Sequence, residues 1–284
     1  MTEQPPRRPN PCATCGACCR SYLVPVCGYD VWLISTRQHL SPEHFLIVLP
    51  QKRPGLDGFR LSPDGPPYGL ALDKRGRLHP KQPCVFLVEL AGGHARCGVY
   101  DHRPVVCQAY PMALREGAVA QRGDALCPPG AWPAAAVARP AWRVAQQRQR
   151  LHFDVYHEVV ARWNARVAQA GEAFPAIRFA YGEYLSYLTN VYTRLADEDG
   201  EDGEDGADGE TLLARALAGW PPGLPPGVDI MDEHLPRGVP AWLAYLRRVR
   251  AIIGWFYPSV PAAPGPVLVP ATPPAAPSQA VLTT

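Results

Sequence analysis

Apolar residues in the second half of the chain return mostly at every fourth position, with charged residues between them. Between about residues 134 and 170 the apolar positions are Val144, Leu151, Val155, Val159, Trp163 and Val167. This spacing is typical of a helix that buries one face. A second helix is predicted from about Ala176 to Leu195, and a further apolar stripe runs from Trp242 to Phe256.

The first half has shorter apolar segments, which Pro and Gly interrupt. A helix is predicted to begin near Val31 and to end near Leu40. A second is predicted to begin at Pro42, with Ser41 as its N-cap. Residues 103–111 fit one or two helical turns that end at a proline.

Strands are predicted in the middle of this half. Tyr68–Leu72 is a short apolar segment bounded by turn residues. The segments Cys84–Glu89 and Ala95–Tyr100 lie on either side of Gly92 and Gly93. Two apolar segments around a glycine pair predict a β-hairpin.

Net charge and hydropathy argue against nucleic acid and membranes as partners. The formal charge of the 284-residue chain is only +2 at pH 7, which predicts no attraction to nucleic acid or to an anionic membrane. No stretch approaches the roughly 20 apolar residues of a membrane span, and no apolar leader follows Met1. We therefore expect the nine cysteines in the reducing cytoplasm, where closely spaced thiols indicate metal binding or catalysis rather than disulfides.

Four cysteines, Cys12, Cys15, Cys18 and Cys19, fall within eight residues. Metal coordination explains this density, because two thiolates spaced Cys-x2-Cys can bind one ion across a tight turn. Gly16 suits such a turn, since glycine adopts a positive φ without steric cost. The adjacent pair Cys18-Cys19 indicates either a cluster or two neighbouring metal sites.

Four further cysteines lie in the predicted hairpin and beyond it. Cys84 begins one predicted strand and Cys97 lies on its partner, and cross-strand neighbours come within about 5 Å of each other. Cys107 follows in the predicted helical turns, and Cys127 lies near the end of this half. A single cysteine is usually a small buried apolar residue, but beside the clustered thiols these four are predicted metal ligands.

In their order along the chain, these residues resemble the YkgJ-type cysteine-cluster proteins. The matching motifs are Cys-x2-Cys-Gly-x-Cys-Cys, Cys84-Val85-Phe86-Leu87, Cys97-x-Val-Tyr-x-x-Arg-Pro-x-x-Cys-x-x-Tyr-Pro and Cys127-Pro128. The resemblance covers about residues 10–130. Proteins of this family are described as zinc- or iron-chelating and are often labelled iron–sulfur oxidoreductases. The resemblance implies that the metal ligands are Cys12, Cys15, Cys18, Cys19, Cys84, Cys97, Cys107 and Cys127, whereas Cys27 lies outside the pattern and is interpreted as a free thiol.

Thiolate ligands suit both zinc and iron–sulfur clusters, so the ligand type leaves both open. Eight thiolates would complete two zinc sites of four sulfurs each, or one four-iron cluster and a second site. The spacing Cys-x2-Cys-x2-Cys is that of bacterial ferredoxins, but here Cys19 follows at once, which no ordinary ferredoxin shows. We favour an iron–sulfur cluster or iron, with zinc as the alternative, and electron transfer to a protein redox partner.

Two other functions fit the same residues. This chain also resembles flagellin lysine N-methylase in its cysteine pattern, so an iron–sulfur-dependent methyltransferase is one alternative. The other is a zinc-stapled protein-interaction module, in which the helical half docks a partner. The chain has no P-loop and no Gly-x-Gly-x-x-Gly, His-Glu-x-x-His or Gly-x-Ser-x-Gly motif, so no motif assigns a reaction.

The predicted fold class is α+β, with a small, irregular, metal-stapled N-terminal domain that contains a β-hairpin, followed by a helical region. Segments that are acidic and Gly-interrupted, or rich in Pro and Ala, cannot bury enough apolar surface and are predicted to be disordered. The predicted divisions are a flexible N-terminus (1–11), a cysteine-cluster domain (12–133), a helical region (134–196), an acidic disordered linker (197–210), C-terminal helices (211–257) and a Pro/Ala-rich disordered tail (258–284).

Overall fold

The computed structural model describes residues 15–51, 58–76, 82–115, 118–133, 140–171, 174 and 176–205. Four predicted features lie outside the described residues: the flexible N-terminus (1–11), the C-terminal helices (211–257), the tail (258–284) and the first cysteine, Cys12. In the part of the chain that is described, no helix is long and apolar enough to cross a membrane.

Short elements make up the cysteine-rich half. In chain order they are α1 (Ala17–Ser21), α2 (Gly28–Gln38), β1 (Leu46–Pro50), β2 (Tyr68–Leu72), β3 (Leu87–Glu89), β4 (Ala95–Cys97), α3 (Val105–Ala109), β5 (Met112–Arg115) and β6 (Ala118–Gln121). The described strands pair antiparallel as β1–β2, β3–β4 and β5–β6, so every described sheet has two strands. The predicted α+β class is confirmed, as is the helix that was expected near Val31.

The prediction of a helix after Ser41 is wrong. Only one 3-10 turn, Pro42–His44, forms there, and Ser41 makes no capping hydrogen bond to its backbone. The apolar residues that follow form β1, which pairs with β2 in the register Leu46 opposite Leu72. The local N-cap signal was present, but pairing with a distant strand decided the conformation of the segment.

The predicted hairpin is confirmed as β3–β4, with Gly92 and Gly93 at positive φ in its turn. Its register pairs Leu87 with Cys97. Cys84 precedes the strand, so the predicted cross-strand pairing of Cys84 with Cys97 is wrong. Any approach of these two thiols must come from the loop before β3 rather than from the sheet.

Two long helices, α4 (Pro140–Ala170) and α5 (Ile177–Asp205), follow the cysteine-rich half. Both were predicted from the apolar periodicity. The helix α5 continues through residues 197–205, which the composition assigns to a disordered linker. An existing helix extends without a new nucleation cost, which favours this continuation. Residues 206–210 of the predicted linker lie outside the described residues.

One continuous hydrophobic core joins the two halves of the described chain. Val31 and Ile34 of α2 are buried in it together with Leu151 and Trp163 of α4 and Leu188 of α5. The apolar stripes of the long helices therefore pack on the cysteine-rich half, and the core spans the predicted boundary between the two.

The two halves approach each other closely at Gly28, the first residue of α2. A Cβ at this position would lie 2.2 Å from Cε2 of Tyr192 and 2.7 Å from Cδ1 of Leu188, both on α5. The packing of α2 on α5 therefore requires glycine here.

We expect Gly28→Ala to lower the free energy of unfolding by about 1–3 kcal/mol, because the added methyl group must displace Tyr192 or separate the helices. Urea denaturation of the full chain measures this change. Gly182→Ala on α5 is the matched control, since apart from its chain neighbours and the nearby backbone of the helix no atom lies within 4 Å of the added Cβ. The higher helix propensity of alanine should stabilise that variant, by up to about 1 kcal/mol. Equal stability of Gly28→Ala and the wild type would contradict the close contact.

Candidate metal centre

The first cysteine loop is held against the β3–β4 hairpin at Gly16. This residue has a left-handed φ of 65°. A Cβ on it would lie 2.9 Å from Cβ of Ala95 and 3.0 Å from Cδ1 of Leu87. Both the backbone conformation and the close approach therefore require glycine, as the sequence predicted for this turn. The contact brings Cys15 and the start of α1 to the hairpin.

A backbone hydrogen bond connects this loop to Cys84, and two side-chain donors bind carbonyl oxygens of the loop. The amide N–H of Cys84 donates to the carbonyl oxygen of Cys19 at 2.8 Å. Lys74 Nζ donates to the same oxygen at 3.1 Å, and Arg20 Nη1 donates to the carbonyl oxygen of Cys15 at 3.1 Å. Cys84 is thereby fixed beside α1, although it is far from α1 in sequence.

Five of the predicted ligands line one pocket, which has about 440 Å³ of empty space, part of it open to solvent. These five come from the α1 loop, from the end of β4 and from the segment after β6: Cys15, Cys18, Cys19, Cys97 and Cys127. The remaining wall is mostly apolar or aromatic and includes Leu87, Tyr110, Leu126, Pro128 and Trp132. The described cysteines are all free thiols.

Cys84 and Cys107 interact electrostatically with the cysteines of the pocket. The pKa of the Cys84 thiol is raised to about 11, first by burial and then by Cys97 and Cys18. Burial also raises the pKa of Cys107 well above its ordinary value, with further contributions from Cys18, Cys84 and Cys97. The seven predicted ligands that the structure describes therefore occupy one region.

The adjacent residues Cys18 and Cys19 have opposite proton affinities. The thiol of Cys19 donates a hydrogen bond to the sulfur of Cys18 and lowers the pKa of Cys18 to about 7. The same hydrogen bond raises the pKa of Cys19 far above its ordinary value. The positive charge of Arg103 also lowers the pKa of Cys18. The Arg103 guanidinium lies over the ring of Tyr100, with its Cζ 4.3 Å from the ring centre. Cys18 is therefore partly ionised at neutral pH, and thiolate is the form that binds metals.

Two aromatic residues approach Cys127. Burial raises the pKa of its thiol, whereas the side chains of Trp132 and Tyr110 oppose this effect as hydrogen-bond donors to the sulfur. The Nε1–H of Trp132 is buried and has no partner at full hydrogen-bonding geometry within the described residues. This N–H group in the pocket wall could form a stronger hydrogen bond to a thiolate at Cys127, because a negatively charged sulfur is a better acceptor than a neutral thiol. Sequence reasoning missed Trp132, which belongs to no motif, whereas Tyr110 is part of Cys-x-x-Tyr-Pro.

The described residues do not by themselves form a complete coordination shell. Within the ranges that the structure covers, no group of three or more Cys, His, Asp or Glu side chains is arranged to hold a metal ion. The first predicted ligand, Cys12, lies outside those ranges. The donor set nevertheless fits a thiophilic metal, because every predicted ligand is a thiol.

Cys27 is not among the residues that line the pocket and lies at the N-cap of α2 in the hydrophobic core. Its backbone N–H donates to Asp30 Oδ2 at 3.1 Å, and its thiol donates to the same oxygen at 3.4 Å. The role of Cys27 in capping α2 accounts for a cysteine outside the metal-binding pattern.

Comparison with known families identifies the cysteine-rich segment. Residues 11–128 match the CxxCxxCC family, described as a "putative zinc- or iron-chelating domain". This segment is similar to that family over its whole matched length. The CxxCxxCC domain ends before α4, so the match covers less than half of the chain. No curated protein and no solved structure matches the chain.

The family assignment confirms the resemblance to a cysteine-cluster family. The description of the CxxCxxCC domain supports a metal partner, zinc or iron, and specifies neither an iron–sulfur cluster nor a reaction. The thiol-lined pocket lies within the matched segment, apart from Trp132 in its wall.

Metal binding to the CxxCxxCC domain should release protons. Metals bind thiolates, and the pKa values of Cys84 and Cys107 are raised, so both thiols are protonated at pH 7 in the metal-free protein. The apparent affinity for zinc should therefore rise with pH, by about tenfold per pH unit for each proton released. Calorimetric titrations on both sides of neutral pH, in buffers of different ionisation enthalpy, count these protons. An affinity independent of pH would contradict the prediction.

Cys27→Ser should leave the metal content unchanged. Serine is a favoured N-cap residue and can also donate to Asp30, so α2 should keep its cap. Elemental analysis of the purified variant checks this expectation. A loss of metal as large as that of Cys15→Ser would identify Cys27 as a ligand instead.

Proposed function

We propose that the protein chelates iron, either in an iron–sulfur cluster or bound directly by thiolates. The proposed ligands are Cys12, Cys15, Cys18, Cys19, Cys84, Cys97, Cys107 and Cys127. The observation that carries the proposal is that seven described thiols occupy one region, whereas one tetrahedral ion takes four.

A centre with more than one metal atom uses the additional thiols. The neighbouring thiols Cys18 and Cys19 support this view, because one donates a hydrogen bond to the other and both line the same pocket. An iron–sulfur cluster with a second site is the arrangement we favour. Two zinc ions, each with four sulfurs, form the alternative.

When bound, an iron–sulfur cluster would supply one-electron transfer to a protein redox partner in the cytoplasm. The part of the pocket that opens to solvent would allow such a partner to approach. Arg103, which acts electrostatically on Cys18 and Cys97, would stabilise negative charge on the thiolates. The N–H of Trp132 would do the same at Cys127, and hydrogen bonds to sulfur are among the features that set the potential of such centres.

The interaction-module alternative has less support. The apolar faces of α4 and α5 already pack in the shared core, so these faces are not free to bind a partner. No feature of the described residues favours the methyltransferase alternative.

Purification of the full chain without oxygen tests the proposal, because exposed cluster thiolates oxidise readily. We expect iron and acid-labile sulfide, with broad visible absorption that dithionite bleaches. Cys97→Ser should lose most of this iron, and Cys27→Ser serves as the cysteine control that should keep it. A colourless protein that contains zinc would overturn the choice of iron and support the zinc alternative. A protein that binds neither metal would overturn chelation itself.

A further inference from the structure

Cys107 lies in the middle of α3, a helix of only five residues. Isolated helices shorter than about 12–15 residues are marginal in water. The first N–H groups and last carbonyl groups of any helix also lack partners within it. The conformation of α3, and with it the position of Cys107, therefore depends on side chains from other elements.

Asp30 of α2 holds the first turn of α3. Its Oδ1 accepts a hydrogen bond from the N–H of Val105, the first residue of α3, at 2.9 Å. Its Oδ2 accepts from the backbone N–H of Cys27 at 3.1 Å. Asp30 is only 1% exposed, so it connects the starts of α2 and α3 inside the core.

Gln146 of α4 holds the other end of α3. Its Nε2 donates to the carbonyl oxygen of Ala109, the last residue of α3, at 3.2 Å and to that of Met112, the first residue of β5, at 2.6 Å. Gln146 is 7% exposed. A buried amide is costly unless it forms hydrogen bonds, and this one donates to two carbonyls on the C-terminal side of Cys107.

We propose that Gln146 is a positioning residue for the metal centre, because with Asp30 it clamps α3 at both ends and orients Cys107 toward the other thiols. This inference rests on the proposed function. Gln146 lies outside the segment that matches the CxxCxxCC family. The helix α4 therefore supplies part of the framework of the metal centre, although it carries none of the proposed ligands.

Gln146→Met tests the positioning role, because methionine has a similar shape but cannot donate hydrogen bonds. We expect the zinc affinity of the full chain to fall about tenfold or more, measured by competition with a chromophoric chelator. Tyr187→Phe is the matched control, since it removes a buried hydrogen bond from α5 to the carbonyl oxygen of Val159 on α4, 3.1 Å long. Its zinc affinity should change by less than about twofold, because the two sites share no partner.

The outcomes separate the two proposals. Equal losses of affinity in both variants would assign the effect to general destabilisation and overturn the positioning role. Unchanged affinity in Gln146→Met, with tight binding by the wild type, would overturn only the positioning role. A wild-type protein that does not bind zinc or iron would overturn the proposed function as well.

Hydrogen exchange on the wild-type chain provides a second measurement if Gln146→Met does not fold. The amides of Cys107 and Gln108 both donate to the carbonyl oxygen of Pro104, so they report on α3. Zinc should slow their exchange and that of the first turns of α4, because binding at Cys107 stabilises the clamped helix. Unchanged exchange in both elements on zinc binding would overturn the clamp.

Discussion

The helices α1 and α3 have five residues each, and the strands β3 and β4 have three each. Elements of this length do not keep their conformation in isolation. Their cysteines are held by contacts with other elements instead: Gly16 against the hairpin, the amide of Cys84 on the carbonyl of Cys19, and Asp30 and Gln146 at the ends of α3. The long helices contribute buried side chains, such as Leu151, Trp163 and Leu188, to the core on which these contacts depend.

Burial of several thiols in one region opposes their ionisation. The pKa of Cys84 is raised to about 11 and that of Cys107 is raised as well, in each case mainly by burial. A metal cation reverses this effect, because thiolate bonds to the ion replace the lost hydration. Arg103 lowers the pKa of Cys18 and Cys97, and Trp132 lowers that of Cys127, so both favour the thiolate form as a metal cation does. We therefore expect folding of the CxxCxxCC domain and metal binding to be coupled.

The family match ends before α4, but the hydrophobic core does not. Gly28 in the cysteine-rich half contacts Tyr192 of α5. Gln146 of α4 donates to the carbonyl oxygens at the end of α3, which carries Cys107, and at the start of β5. The helical half is thus a structural component of the metal-binding half. A role for α4 in positioning a ligand follows from this shared core more directly than a role in docking a partner.

The sequence by itself indicated the chemistry of the site, because the Cys-x2-Cys spacing and the density of thiols can be read from the residues alone. It also determined the long helices, the Gly92-Gly93 hairpin and the turn with positive φ at Gly16, since each depends on nearby residues. Only the tertiary structure decided that the segment after Ser41 pairs as a strand and that Cys84 precedes β3. Likewise, the place of Trp132 in the pocket wall and the contacts of Gln146 could not be predicted. These features depend on contacts between segments far apart in the chain, and no local pattern of residues encodes such contacts.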